Sequence, residues 1–82
     1  MRVYILTMNA ANSTHSITRV ISPNAYKVRE KARTELAETA EMYNQLEGYT
    51  LTAQTPDFIQ YRVRNTGEPY LLTLEVGILE IV

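Results

Sequence analysis

One stretch of this chain has helical periodicity, and the rest reads as strand. From about residue 23 to about 46, Ala25, Val28, Ala32, Leu36, Thr39, Ala40, Tyr43 and Leu46 fall on a single stripe roughly 120° wide when successive residues are set about 100° apart. Ser22 and Pro23 suit the N-cap and first helical position, and Gly48 suits the stop. On either side lie "RVYILTM", "ITRVI", "YTLTAQ", "FIQYRVR" and "YLLTLEVGILEIV", separated by the turn-prone "NAANSTH", "TPD" and "NTGEP". The order is therefore ββαβββ. A single helix can cover one face of a sheet and no more, so the expected fold is α+β: a two-layer sandwich with a mostly antiparallel five-stranded sheet and one long helix.

Alternation assigns faces to most of these strands. Tyr49, Leu51 and Ala53, then Ile59, Tyr61 and Val63, then Leu72, Leu74 and Val76 are expected to face the helix. Beyond Gly77 the apolar phase shifts to Leu79 and Ile81, which predicts a β-bulge at the glycine. The first strand is apolar on both sides, so its inward side stays open. Phe58, Gln60, Arg62, Arg64, Leu71 and Thr73 fall on the uncovered face, where a second copy or another protein is the expected cover.

Composition narrows the function classes. With 82 residues the chain has room for one domain, residues 1–82, and 45% apolar against 21% charged residues gives it the material for a core. The absence of cysteine excludes disulfides and thiolate metal sites. A formal net charge of -1 supplies no global attraction for nucleic acid or membranes. No run approaches the roughly 20 apolar residues of a membrane span, and "MRVYILTMNAANSTHS" does not read as a signal peptide. The expectation is a cytoplasmic protein without a membrane segment.

No catalytic motif emerges. His15 is the only histidine and sits in a polar connector, where a metal site would need converging partners. Ser13, Thr14, His15 and Ser16 are neighbours in sequence, yet neighbours in an extended loop point in different directions. Glu35, Glu38 and Glu41 lie outside the apolar stripe, and no glycine-rich phosphate motif is present. The expectation is no catalytic residue, no metal and no cofactor: a protein that is not an enzyme.

The helix nevertheless carries an oddity. In "KVREKARTELAETAE" the bases Lys27, Arg29, Lys31 and Arg33 precede the acids Glu35, Glu38 and Glu41, the reverse of what the helix dipole favours. The pairs Lys31 with Glu35 and Glu30 with Arg33 recover about 0.2 to 0.5 kcal/mol each and leave the block order unexplained. Tyr26, Lys27, Arg29, Lys31 and Arg33 are therefore the candidate partner-binding patch. Phe58, Arg62 and Arg64 are the candidate self-association face.

The opening "VYILTMN", a polar connector, "ITRVIS" and then "NAYKVREKA" resembles, over about 35 residues, the layout of small phage- and mobile-element-encoded accessory proteins, some of them anti-CRISPR inhibitors. That resemblance implies a compact, non-enzymatic protein that occupies a surface on a host protein and inhibits a defence complex. Two other classes stay open: a nucleic-acid-binding module using the basic helix start or the sheet arginines, and a purely structural homodimer.

Overall fold

The computed structural model describes residues 1–12, 15–64 and 67–81. Ser13 and Thr14 of the first connector, and Asn65 and Thr66 of the "NTGEP" turn, lie outside the described residues. The elements are β1 (Arg2–Ala11), β2 (Ser16–Val20), α1 (Arg29–Asn44), β3 (Tyr49–Thr55), β4 (Phe58–Val63) and β5 (Tyr70–Glu80). The strands form one sheet in the order β2-β1-β5-β4-β3, antiparallel at every junction. This is the expected α+β fold, with the helix between β2 and β3.

Topology explains why the helix is long. The strands it connects are the two opposite edges, about 19 Å apart at ordinary strand spacing. Its 16 residues reach about 24 Å, so it crosses the sheet as well as covering it. Leu36 and Ala40 pack with Leu6, Ile59, Tyr61, Val63, Leu72 and Leu74 in one buried cluster, and Ala32 is buried on the same helix stripe. Small alanines let the helix lie close to the strands. Ala25, Val28 and Leu46, the outer members of the expected stripe, are exposed.

The helix begins at Arg29, six residues later than expected from Pro23, because strand pairing claims the intervening backbone. Ile21 N–H donates to the Leu6 carbonyl at 3.2 Å, and Tyr26 forms an isolated antiparallel bridge with Tyr4, its N–H donating to the Tyr4 carbonyl at 2.7 Å. Ser22 is buried and does not cap the helix; its hydroxyl donates to the Asn24 carbonyl at 2.8 Å. The N-cap position falls to Val28, extended at φ -119° and ψ 127°, with no side-chain cap. Tertiary pairing thus overrides a good local start signal. At the other end Gly48 adopts φ +87°, and a Cβ there would lie 3.3 Å from the Arg64 carbonyl oxygen.

The predicted bulge at Gly77 is absent. β1 and β5 pair one to one from Arg2–Glu80 through Ile5–Gly77 to Ala11–Leu71. Phase is therefore kept, and Leu79 shares the open face with Gly77; Leu79 and Ile81 are both exposed. The irregularity lies instead in edge strand β3, between Leu51 and Ala53. It places Ala53 opposite the outward Gln60, contrary to the expected alternation. The same register settles β1: Tyr4, Leu6, Met8 and Ala10 share the helix side with Ile78, Val76, Leu74 and Leu72.

Tyr61 ties the helix to the sheet's centre. It is fully buried, and its hydroxyl lies 2.9 Å from the Ala40 carbonyl oxygen and 2.8 Å from Asn44 Oδ1, so its one proton has two acceptors. Tyr43 and Tyr49 pack against it, with ring centroids 6.0 and 6.2 Å away. Burial pushes the Tyr61 phenol above its ordinary pKa. Replacing Tyr61 with Phe should lower the unfolding free energy by about 1 kcal/mol in urea titration with the slope unchanged. A loss well below about 0.5 kcal/mol would show that the hydroxyl is not an anchor.

Candidate contact surfaces

The reversed helix charges have a structural partner. Arg29 and Arg33, one helical turn apart, both grip the carboxylate of Asp57 in the β3–β4 turn. Arg33 Nε donates to Asp57 Oδ1 at 2.7 Å and Nη2 to Oδ2 at 3.1 Å. Arg29 Nε donates to Oδ1 at 3.3 Å, and its Nη2 to Oδ2. Two forks on one carboxylate give a rigid, oriented link of the kind arginine makes best. The turn itself is held in place: Asp57 N–H donates to Thr55 Oγ1 at 3.3 Å, and the Asp57 carbonyl accepts from Val76 N–H at 2.8 Å.

This redistributes the candidate patch at the helix start. Arg29 and Arg33 are engaged with Asp57, whereas Lys27 and Lys31 are exposed with no ion-pair partner among the described residues. The expected pairs Lys31–Glu35 and Glu30–Arg33 do not close to ion-pair distance, Arg33 turning instead to Asp57. Tyr26 is half-buried and lines a shallow depression of about 330 Å³ with Glu30, Lys31, Thr34, Glu35 and Glu38. The surface is mixed in sign where a basic one was expected.

The second candidate face is the side of the sheet that the helix leaves open. Register places its residues in rows running across the strands. One row is Thr18, Asn9, Thr73, Gln60 and Ala53; Leu71 and Arg62 stand adjacent on one side of it, and Glu75 and Phe58 on the other. The polar side chains bond to one another within the face. Gln60 Nε2 donates to Thr73 Oγ1 at 3.5 Å, Ser16 Oγ donates to Asn9 Oδ1 at 3.2 Å, and the Thr52 hydroxyl has two acceptors at 3.1 Å, Gln60 Oε1 and the Gln60 carbonyl. Phe58 is half-buried, while Arg62, Arg64, Leu71 and Glu75 are exposed.

Arg62 stands between two shallow depressions. One, of about 470 Å³, is lined by Ala11, Asn12, Arg62, Glu68, Pro69, Tyr70 and Leu71; the other, of about 450 Å³, by Gly48, Thr50, Arg62, Arg64 and Pro69. Both lie at the edge of the open face. Phe58 has no second aromatic in phase with it among the described residues, since Tyr4, Tyr49, Tyr61 and Tyr70 all take the helix side by register. A stacking platform for bases would want at least two.

Other sequence candidates are placed apart. His15 is exposed, with its backbone N–H donating to Asn12 Oδ1 at 2.7 Å. Among the described residues no three His, Asp or Glu side chains converge as metal ligands, and no helix is long and apolar enough to cross a membrane. No family model, curated protein or solved structure matches the chain.

The clamp makes stability depend on acid. The two guanidinium groups hold the Asp57 carboxyl well below the usual carboxylate range, hydrogen bonds from Arg33 and then Arg29 being the main causes. The folded state therefore releases this proton more readily than the unfolded chain does, so its contribution is complete above about pH 5 and is lost progressively as pH falls from there through the folded value. The Tm difference between wild type and Asp57→Asn should stay level above about pH 5 and close below about pH 4. A gap that widens towards acid would contradict the clamp.

Proposed function

We propose that this chain is a small, non-enzymatic binding protein that works by protein–protein contact. The observation that carries the reading is the uneven cladding of the sheet: α1 covers the centre of one face and leaves Ile17, Leu51 and Ile78 exposed at its margins, and the other face presents Leu71, Arg62 and Glu75 among polar side chains that bond to each other. A face with its lateral hydrogen bonds made can be covered at small desolvation cost. The helix start adds a smaller surface, Tyr26, Lys27 and Lys31, made rigid by the hold of Arg29 and Arg33 on Asp57. Rigid presentation reduces the ordering cost of binding.

The proposal extends to a host partner, such as a defence complex that the protein inhibits by occupying its surface, on the resemblance of the first 35 or so residues to phage and mobile-element accessory proteins alone. That partner is assigned to the helix start, and the open sheet face to association. A nucleic-acid-binding reading is favoured by one observation, the guanidinium groups of Arg62 and Arg64, with no ion-pair partner among the described residues, beside a depression lined also by Gly48, Thr50 and Pro69. Salt separates the two readings, because phosphate contacts weaken steeply as salt rises.

The test is capture of a partner from host extract on immobilised wild type and on Lys27→Glu, Lys31→Glu and Arg62→Glu, Arg64→Glu variants. The contact reading expects a protein retained by wild type at physiological salt and lost with the helix-start reversals. Retention of nucleic acid alone, lost with the sheet arginines and with rising salt, would replace it with the nucleic-acid reading.

A further inference from the structure

We infer that the open face receives a second copy of this chain across a two-fold axis, with Arg62 of each copy meeting Glu75 of the other. This rests on the reading of that face as a contact surface and names its occupant.

Within the strands, Arg62 and Glu75 are the only two charged residues on the open face among the described residues, one of each sign. Arg62 stands opposite Leu71 and Glu75 opposite Phe58, on adjacent strands. Four residues of strand rise, about 14 Å, therefore separate them, and they cannot pair within one chain. Neither has an ion-pair partner among the described residues. They flank the Thr73–Gln60 rung from opposite sides.

That placement is self-complementary. A two-fold axis lying between two facing sheets, through the midpoint of Thr73 and Gln60, brings each Arg62 over the partner's Glu75 when it runs about 20° off the rung direction. The strands of the two copies then cross at roughly 40°, near the value of about 30° at which sheets commonly pack face to face. The same rotation lays Leu71 over the Thr7 and Asn9 region of β1. A five-stranded face about 24 Å wide and about 20 Å long buries at most on the order of 1,000 Å² in total, the threshold size for a specific interface.

The polar groups of the face do not oppose this. Gln60, Thr73, Thr52, Asn9 and Ser16 already bond laterally, and the Thr7 hydroxyl donates to the Glu75 carbonyl at 3.3 Å. Covering the face leaves Asn9 Nδ2 and the Thr18 hydroxyl to find partners across the interface. The edges compete less well: β3 is interrupted by its bulge, and β2 is only five residues long.

Sedimentation equilibrium on wild type, Arg62→Glu, Glu75→Arg and the double swap tests the inference, with Lys31→Glu as a control on the helix face and far-UV circular dichroism to confirm folding. Wild type should sediment at twice the 9.4 kDa chain mass. Each single reversal should raise the dissociation constant by about tenfold or more, the double swap should restore dimerisation, and the control should not move it. A wild-type monomer, or a dimer indifferent to both reversals, overturns the inference, as does a double swap that fails to restore it. If wild type is monomeric while another protein shields this face from hydrogen exchange, the second copy is excluded and the contact reading stands.

Discussion

Both halves of the helix are fastened to one short piece of chain. Asp57 holds Arg29 and Arg33 at the helix start, and Tyr61, four residues on, bonds towards Ala40 and Asn44 near its end. The spans agree: four residues of strand cover about 13 Å, and the seven residues from Arg33 to Ala40 cover about 10 Å of helix. The helix is therefore pinned to β4 at two points while it crosses the sheet from edge to edge. Leu36 lies between the two fastenings and is buried in the cluster that joins helix to sheet.

From this fastening the rest follows. The helix starts late because the chain must first run beside β1, as far as the Tyr26–Tyr4 bridge, before it can reach the Asp57 end of β4. Having reached it, the helix has no capping side chain and a basic first turn, both unfavourable in isolation. The shared carboxylate offsets the second. Because α1 covers one face, the opposite face is left largely to whatever the protein meets, Val3 at the start of β1 being buried on it, and it is there that Arg62 and Glu75 stand with no ion-pair partner among the described residues.

Period and alternation made the fold readable, but long-range geometry did not show in them. Leu36, Ala40, Ile59, Tyr61, Val63, Leu72 and Leu74 are buried where 3.6- and 2-residue periods put them. Ser22 and Pro23 misled because a local cap signal says nothing of a strand waiting to pair, and Gly77 misled because an apolar shift at a strand end records loss of cover as readily as a bulge. The Asp57 clamp left one trace in the sequence: arginines at i and i+4 repel unless an acid stands between them. Glu30 on the helix answers Arg33 only in part, and the turn position of Asp57 carries no sign in the sequence that its carboxylate holds both arginines. Glu75 was overlooked for a similar reason: its relation to Arg62 exists only once strand register is known.

The central claim is that the basic helix start is held in place by Asp57. Its most direct test is a mutant cycle in urea: Arg29→Met with Arg33→Met, in the wild-type and in the Asp57→Asn background, compared by unfolding free energy. If the clamp orders the helix start, removing the arginines destabilises the wild type clearly and the Asp57→Asn protein much less. Equal losses in both backgrounds would mean that the arginines act independently of Asp57, and the account of the reversed charges would fall.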